Sequence, residues 1–350
     1  MRERILYCVL DWGLGHATRS IPIIRALISA GCEVVIASDS FALAFLRAEF
    51  PSLHSHELPS YDVEYKSEHI IQNGIANSKR MRIAIKAEHD MIGEIVIKEK
   101  IDAIISDNRY GCYVPGIPSV LITHQLRFRT GNWFYDTIGR MMIRKLIRPF
   151  DSIWIPDTEE RTLSGELSMS DDSRVRYIGW QSTLIRKDVD KQFAIAAILS
   201  GPEPMRSTLE AEIRTQFEMA DAHCVLVRGA QGSDEERDEK GVTVYDVLDR
   251  EGINQLMNSA SIILCRSGYS SLMDLQTVQS KAILVPTPGQ PEQIYLAERM
   301  KRYPQYIIQL QGEIDIQGAI DQLESVEVNP VQPASSMLID KAVRELINPY

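Results

Sequence analysis

The 350-residue chain has no apolar run near the roughly 20 residues that a spanning helix needs, which excludes a helical membrane protein. Excess positive charge is missing too. A formal net charge of −10 and a pI near 5.3 argue against general nucleic-acid binding. The basic and apolar start, Met1 to Leu10, lacks a small-residue cleavage site and reads as a first buried strand, not a signal peptide. Cysteines are few and unpatterned. Cys8, Cys32, Cys112, Cys224 and Cys265 make an odd number with no CxxC spacing, which fits reduced core thiols of a cytoplasmic protein and no zinc site. What is present, 44% hydrophobic and 25% charged residues over a length comfortable for two cores, belongs to a soluble globular protein.

Short apolar runs alternate with helical patterns along the whole chain. Strands are expected at Ile5–Leu10, Val34–Ala37, Ala103–Ser106, Val120–Thr123 and Ile153–Ile155, with helices at Ala17–Ala30, Phe41–Glu49 and about Lys79–Lys98. A second set of strands follows at Phe193–Leu199, Cys224–Val227, Val242–Val244, Ile262–Cys265 and Ala282–Val285. Continuous apolar strands alternating with helices predict an α/β protein with parallel sheets covered on both faces. Arg176–Asp188 contains Gly179 and has no helical period. The expected organisation is two Rossmann-like domains facing across a cleft: residues 1–178, a linker at 179–188, residues 189–332, and a helix over 333–350 that crosses back to the first domain. Ligands should lie beyond the C-terminal ends of the strands. The acidic run Ser233–Lys240 reads as a solvated loop.

Small-residue turns follow several of these strands. Arg266-Ser267-Gly268 opens a helix carrying Asp274, and the turn of Pro286, Pro288 and Gly289 leads through Gln290 to a helix with Glu292 and Gln293. Helix N-termini present unpaired N–H groups and partial positive charge, which suits phosphate, and a carboxylate further along such a helix can accept from ribose hydroxyls. The combination describes a nucleotide-sugar pocket. Ser200-Gly201-Pro-Glu-Pro-Met-Arg206 ends another strand and offers N–H groups to a diphosphate with Arg206 as counter-charge, although Pro202 and Pro204 cannot donate. Gly229 follows the next strand. In the first half, Gly13 and Gly15 let the backbone turn sharply before His16, a candidate general base; the alternative role is substrate orientation. Asp107, Asn108 and Arg109, with His124 and Gln125, end two further strands on the acceptor side, and Asp107 is an alternative base. Turn chemistry alone would also place Asp and Asn there. Residues 127–150 hold six basic residues against one acid, and Trp133, Phe134 and Tyr135 precede Arg140, Arg144 and Arg148, which fall on one helix face. The segment reads either as a peripheral contact with an anionic membrane or as a domain helix with solvated arginines.

Taken in order, Asp11–Arg19, Gly116–Gln125, Arg266–Asp274 and the Pro/Gln helix start resemble the family-28 glycosyltransferases over roughly residues 5 to 300. The family includes bacterial N-acetylglucosaminyl transfer to a lipid-linked acceptor. The resemblance implies the two-domain GT-B fold, a UDP-sugar donor, and inverting transfer of a hexose, N-acetylglucosamine among the options. It places Arg250 near the nucleotide base, which the main chain holds, Asp274 (for the family's Glu) on the ribose, and Glu292 and Gln293 on the sugar. The acceptor, whether glycan, lipid-linked or small molecule, is not specified. No cofactor and no metal are expected, since the candidate pocket has no Asp-x-Asp of the kind that holds a divalent ion on a diphosphate. Two other functions remain open: a UDP-sugar hydrolase of the pseudaminic-acid type, which shares the Gly-x-Gly-His-x-x-Arg loop, and a non-catalytic nucleotide-sugar-binding protein. The expected location is the cytoplasm, including the inner face of its membrane.

Overall fold

Each apolar run becomes a strand with both faces covered. The computed structural model describes residues 2–61, 70–220, 222–230, 232–328 and 337–348. Its first sheet contains β1 (Arg4–Val9), β2 (Glu33–Ser38), β3 (Ser55–Glu57), β4 (Ala103–Asp107), β5 (Ser119–Ile122), β6 (Ser152–Ile155) and β7 (Val175–Tyr177). All pair in parallel, in the order β3-β2-β1-β4-β5-β6-β7. The crossovers that parallel pairing requires include α1 (Leu14–Ser29), α2 (Ser40–Glu49), α3 (Ile70–Glu99) and α4 (Trp133–Ile147). Alternation along β1 splits the core into layers. Ile5, Tyr7 and Val9 pack with α1 and α2, whereas Leu6 and Cys8 pack with Ile92, Ile95 and Val96 of α3.

The second sheet contains β8 (Phe193–Ile198), β9 (Cys224–Val227), β10 (Arg237–Glu239), β11 (Val242–Tyr245), β12 (Ala260–Cys265), β13 (Lys281–Leu284) and β14 (Tyr306–Ile308). Its order is β10-β11-β9-β8-β12-β13-β14, parallel except for β10. Its helices are α5 (Met205–Met219), α6 (Arg250–Ser259), α7 (Tyr269–Val278), α8 (Pro291–Met300) and α9 (Ile316–Glu324). The last helix, α10 (Met337–Ile347), places Ile339, Ala342 and Val343 in the core of the first sheet beside α1. By contacts the chain forms two units, Met1–Ser182 with Ala334–Tyr350, and Thr183–Pro333.

Both sheets follow the doubly wound plan. Strand order reverses between β1 and β4 in one unit and between β8 and β12 in the other, and ligands of such sheets gather at the strand ends there. Four strands escape the hydrophobic pattern because each has only three residues: β3, β7, β10 and β14. β10 corrects the solvated-loop reading of 233–240. Arg237 draws it onto β11 by binding Asp246 through Nη1 at 3.0 Å and Nη2 at 2.7 Å. Helix α3 begins at Ile70 rather than near Lys79, and residues 178–192 carry no regular element.

Candidate active site

In the first unit, the reversal of strand order brings two distant residues together. His16 lies in the first turn of α1, just past β1, and Asp107 ends the adjacent β4. His16 Nδ1 is 2.9 Å from Asp107 Oδ1. Arg19, one helical turn after His16, donates from Nε to Asp107 Oδ2 at 2.7 Å and from Nη2 to Oδ1. Its Nη2 is also 2.9 Å from His16 Nδ1. The carboxylate is the stronger partner for Nδ1, so we assign the Nδ1–H tautomer. Nε2 then carries the lone pair and has no hydrogen-bond partner among the described residues.

The electrostatics suit a base. Burial, with the Arg19 charge beside it, holds the His16 imidazole below its ordinary 6.5 against the pull of Asp107. Burial pushes the Asp107 carboxyl up, but Arg19 and then His16 outweigh it and hold the group well below the usual carboxylate range. A neutral ring therefore sits on an anionic carboxylate at neutral pH. This corrects Asp107 as an alternative base: it is fully buried, and both its oxygens are engaged. It orients His16 instead.

The flanking candidates divide. Gly13 caps α1 at φ 79, a conformation that favours glycine, and Gly15 lies in the helix's first turn. His124 is buried and near enough for its charge to depress His16 further. Gln125 is half-buried, its N–H on Thr123 Oγ1 at 3.2 Å. Asn108 adopts φ 57 and has a buried Oδ1 with no partner among the described residues, so it remains able to accept from a ligand. Arg109 is a correction. It is fully buried and spends its guanidinium on Glu88, Asp39 and the Val9 and Pro59 carbonyls. It fastens the scaffold and reaches no acceptor.

In the second unit, the turns after β8, β9, β12 and β13 carry the candidates. Ser200 is exposed after β8, and Gly201 adopts φ 108. Gly229, at φ 63, presses on the same turn: a Cβ there would lie 2.2 Å from the Leu199 carbonyl oxygen. Ser267 Oγ donates to the Gln293 carbonyl at 2.8 Å, joining the β12–α7 turn to α8. Gly268 is the N-cap of α7 and has no capping side chain. Asp274 lies in the second turn of α7, partly buried, close enough to raise the pKa of the buried Cys265 thiol further. Arg250 opens α6 behind the cap Asp249, which accepts from Gly252 N–H at 2.7 Å. Gln290 caps α8 and Glu292 is in its first turn. Gln293 accepts from Thr287 N–H at 2.9 Å and donates to Gln290 Oε1 at 2.7 Å, so its amide shapes the turn.

Arg206 is the second correction. It is buried between two carboxylates, with Nε on Glu203 Oε1 and Nη1 on Glu210 Oε2, both at 2.8 Å. Its charge is already neutralised. Glu203 also accepts from Ser207 N–H at 3.2 Å, placing a carboxylate at the N-terminus of α5. That start is ill suited to a diphosphate, whereas the first turn of α7 holds no acidic residue and no described side chain caps it. Among the described residues, no three of His, Cys, Asp and Glu come together as metal ligands would. The one Asp-x-Asp of the sequence, Asp188 and Asp190, precedes β8 and so lies at the opposite end of the sheet from these turns.

Sequence reasoning missed Arg19. A signal existed: three residues after His16 in a helix, it shares that residue's face.

Residues 204–348 match the model of the glycosyltransferase family 28 C-terminal domain. Among curated proteins, none matches the sequence. Of solved structures, the glycotransferase of kitacinnamycin is similar at 15% identity and a TM-score of 0.68, over 99% of this chain and 95% of that one. MurG of Acinetobacter baumannii is similar at 13% and 0.57, again over 99% and 95%. The Streptomyces sp. SF2575 glycosyltransferase SsfS6, solved with thymidine diphosphate, is similar at 11% and 0.61, over 99% and 96%. At these identities the structures establish the shared GT-B fold.

Proposed function

We propose that the chain, whose residues 204–348 match the model of the glycosyltransferase family 28 C-terminal domain, is a glycosyltransferase that moves a hexose from a UDP-sugar to a hydroxyl acceptor, with inversion and without a metal. The carrying observation is the His16 ring held by Asp107 with Nε2 unengaged. In this reading Nε2 takes the acceptor proton as the hydroxyl oxygen bonds to the anomeric carbon. The bond from that carbon to the diphosphate breaks, and its electron pair leaves on the diphosphate. Asp107 stabilises the imidazolium that forms. Helix N-termini, that of α7 first, receive the developing negative charge. Asp274 accepts from the ribose, the main chain around Arg250 holds the base, and Glu292 contacts the sugar. N-acetylglucosamine is the first hexose to test.

Water in place of the acceptor would make the same base a hydrolase's, a reading kept by the Gly-x-Gly-His-x-x-Arg loop. A panel of uridine and thymidine diphosphate sugars, read by thermal shift and by nucleoside diphosphate release with and without acceptor extract, separates these cases. UDP should raise the melting temperature with saturation, and Asp274→Ala should remove most of that rise. Turnover should persist in EDTA. A shift with thymidine diphosphate alone would move the base assignment; activity lost in chelator and restored by magnesium or manganese would end metal independence.

The proposal extends to where the acceptor is met. Helix α4 buries Ile143 and Ile147 and leaves Trp133 78% exposed, with Phe134, Ile138, Met141 and Met142 also exposed beside Arg140, Arg144, Lys145 and Arg148. No described helix is long and apolar enough to cross a membrane. Exposed aromatics among cations in a net-acidic chain suit peripheral binding to anionic lipid through 127–150, at the inner face of the cytoplasmic membrane. The protein should sediment with anionic vesicles and not with neutral ones, and Arg140→Glu with Arg144→Glu should weaken this about tenfold or more. Equal binding to both vesicle types, or none, counts against it.

A further inference from the structure

Outside α4, two aromatic side chains are exposed among the described residues, Trp12 at 46% and Phe41 at 56%. Both belong to the end of the sheet that carries His16. Trp12 lies in the turn that leaves β1, four residues before His16. Phe41 lies in the first turn of α2, after the neighbouring parallel strand β2. An exchange of caps ties the two turns together. Asp39 is the N-cap of α2, but its side chain makes no cap bond and pairs with Arg109 instead. Asp11, from the β1 turn, takes its place: Oδ2 accepts the Phe41 N–H at 3.2 Å. Covering aromatic area is favourable, so two exposed rings on turns fixed beside the proposed base offer a surface for a ligand.

On the other neighbour of β1 the requirement is polar. Asn108 follows Asp107, the residue that holds His16. Its backbone is set at φ 57, with the N–H on the Ile122 carbonyl at 3.2 Å. Its Oδ1 is buried without a partner among the described residues. A buried acceptor left unbonded is costly, and a ligand group that donates a hydrogen bond offsets that cost. A flat apolar acceptor with one hydroxyl would give its proton to His16 and leave Asn108 unserved. A sugar ring presents a C–H face to aromatic rings and several hydroxyls at its rim, one for His16 Nε2 and another for Asn108 Oδ1.

We infer that the acceptor is a carbohydrate, bound with the C–H face of one pyranose ring against Trp12 and Phe41 and with a second hydroxyl donating to Asn108 Oδ1. The inference deepens the transfer reading and rests on His16 as its base. All three residues belong to the first unit, so they bind acceptor and take no part in holding the donor.

The test measures, on the full chain without donor, the affinities of the methyl glycosides of glucose, galactose, mannose and N-acetylglucosamine. Naphthol and decanol are the flat and the linear apolar competitors. At least one glycoside should bind more tightly than either competitor. Trp12→Ala and Asn108→Gly should each weaken it about tenfold, and Trp12→Phe should recover most of the loss. Glycine suits φ 57, so Asn108→Gly should keep the melting temperature of the ligand-free protein. The bound glycoside should then accept the hexose from a UDP-sugar and be recovered as a disaccharide. No glycoside binding, a preference for naphthol or decanol, or glycoside affinity unmoved in both variants would overturn the inference and leave the transfer reading intact. If a glycoside binds through Trp12 and Asn108 but UDP-sugars are only hydrolysed, the transfer reading fails and the sugar site stands.

Discussion

His16→Ala should cut turnover about 10²–10⁴-fold, the usual contribution of a general base, while UDP affinity stays near wild type. The separation follows from where the groups lie: His16 and Asp107 belong to the first unit, the α7 and α8 turns to the second. A group used only in the transition state lowers turnover without weakening ground-state binding. The pH profile adds a second reading. Turnover requires the neutral ring, and burial with Arg19 holds its pKa below 6.5. Activity should therefore hold as pH falls to 6.5 and decline only below it, and this acid limb should vanish in His16→Ala. Full activity in the variant, or loss of UDP binding as its main effect, would remove His16 from the chemistry.

Asp107→Ala should be the most damaging single change to stability. Arg19 is 2% exposed and would be left as an uncompensated buried charge, which costs about 3–5 kcal/mol. Adding Arg19→Met should recover much of the loss, because the orphaned cation goes with its partner. The Asp107 carboxyl is held below its ordinary 3.8 by Arg19 and His16 against burial. Its stabilisation is thus fully present above 3.8 and lost as pH falls through the lower folded value. Wild type and variant should differ by the full amount at neutral pH and converge in acid. Equal melting temperatures at pH 7 would show that the ion pair contributes nothing net.

The parallel architecture was legible because buried strands such as Ile5–Leu10 and Ile262–Cys265 are continuous apolar runs that only a doubly covered sheet accommodates. The His16 and Asp107 positions were legible as strand ends, but not their contact, which depends on β1 and β4 being neighbours. Residue type in a turn also does not report burial. Arg109 and Arg206 looked like ligand-binding cations because the carboxylates that claim them, Glu88 and Glu210, lie 21 residues before and 4 residues after them on helices. Arg266 entered only as part of a motif, and that it has no carboxylate partner among the described residues is visible only in three dimensions.

The return of α10 to the first sheet makes the second unit, in chain order, an insertion within the first. Synthesis from the N-terminus reverses the usual order of completion. Residues 183–333 have all emerged before Ile339, Ala342 and Val343 can close over α1, so the second unit can finish on the ribosome while its predecessor waits for the last helix. A fragment ending at Ser182 would carry that unclosed layer permanently.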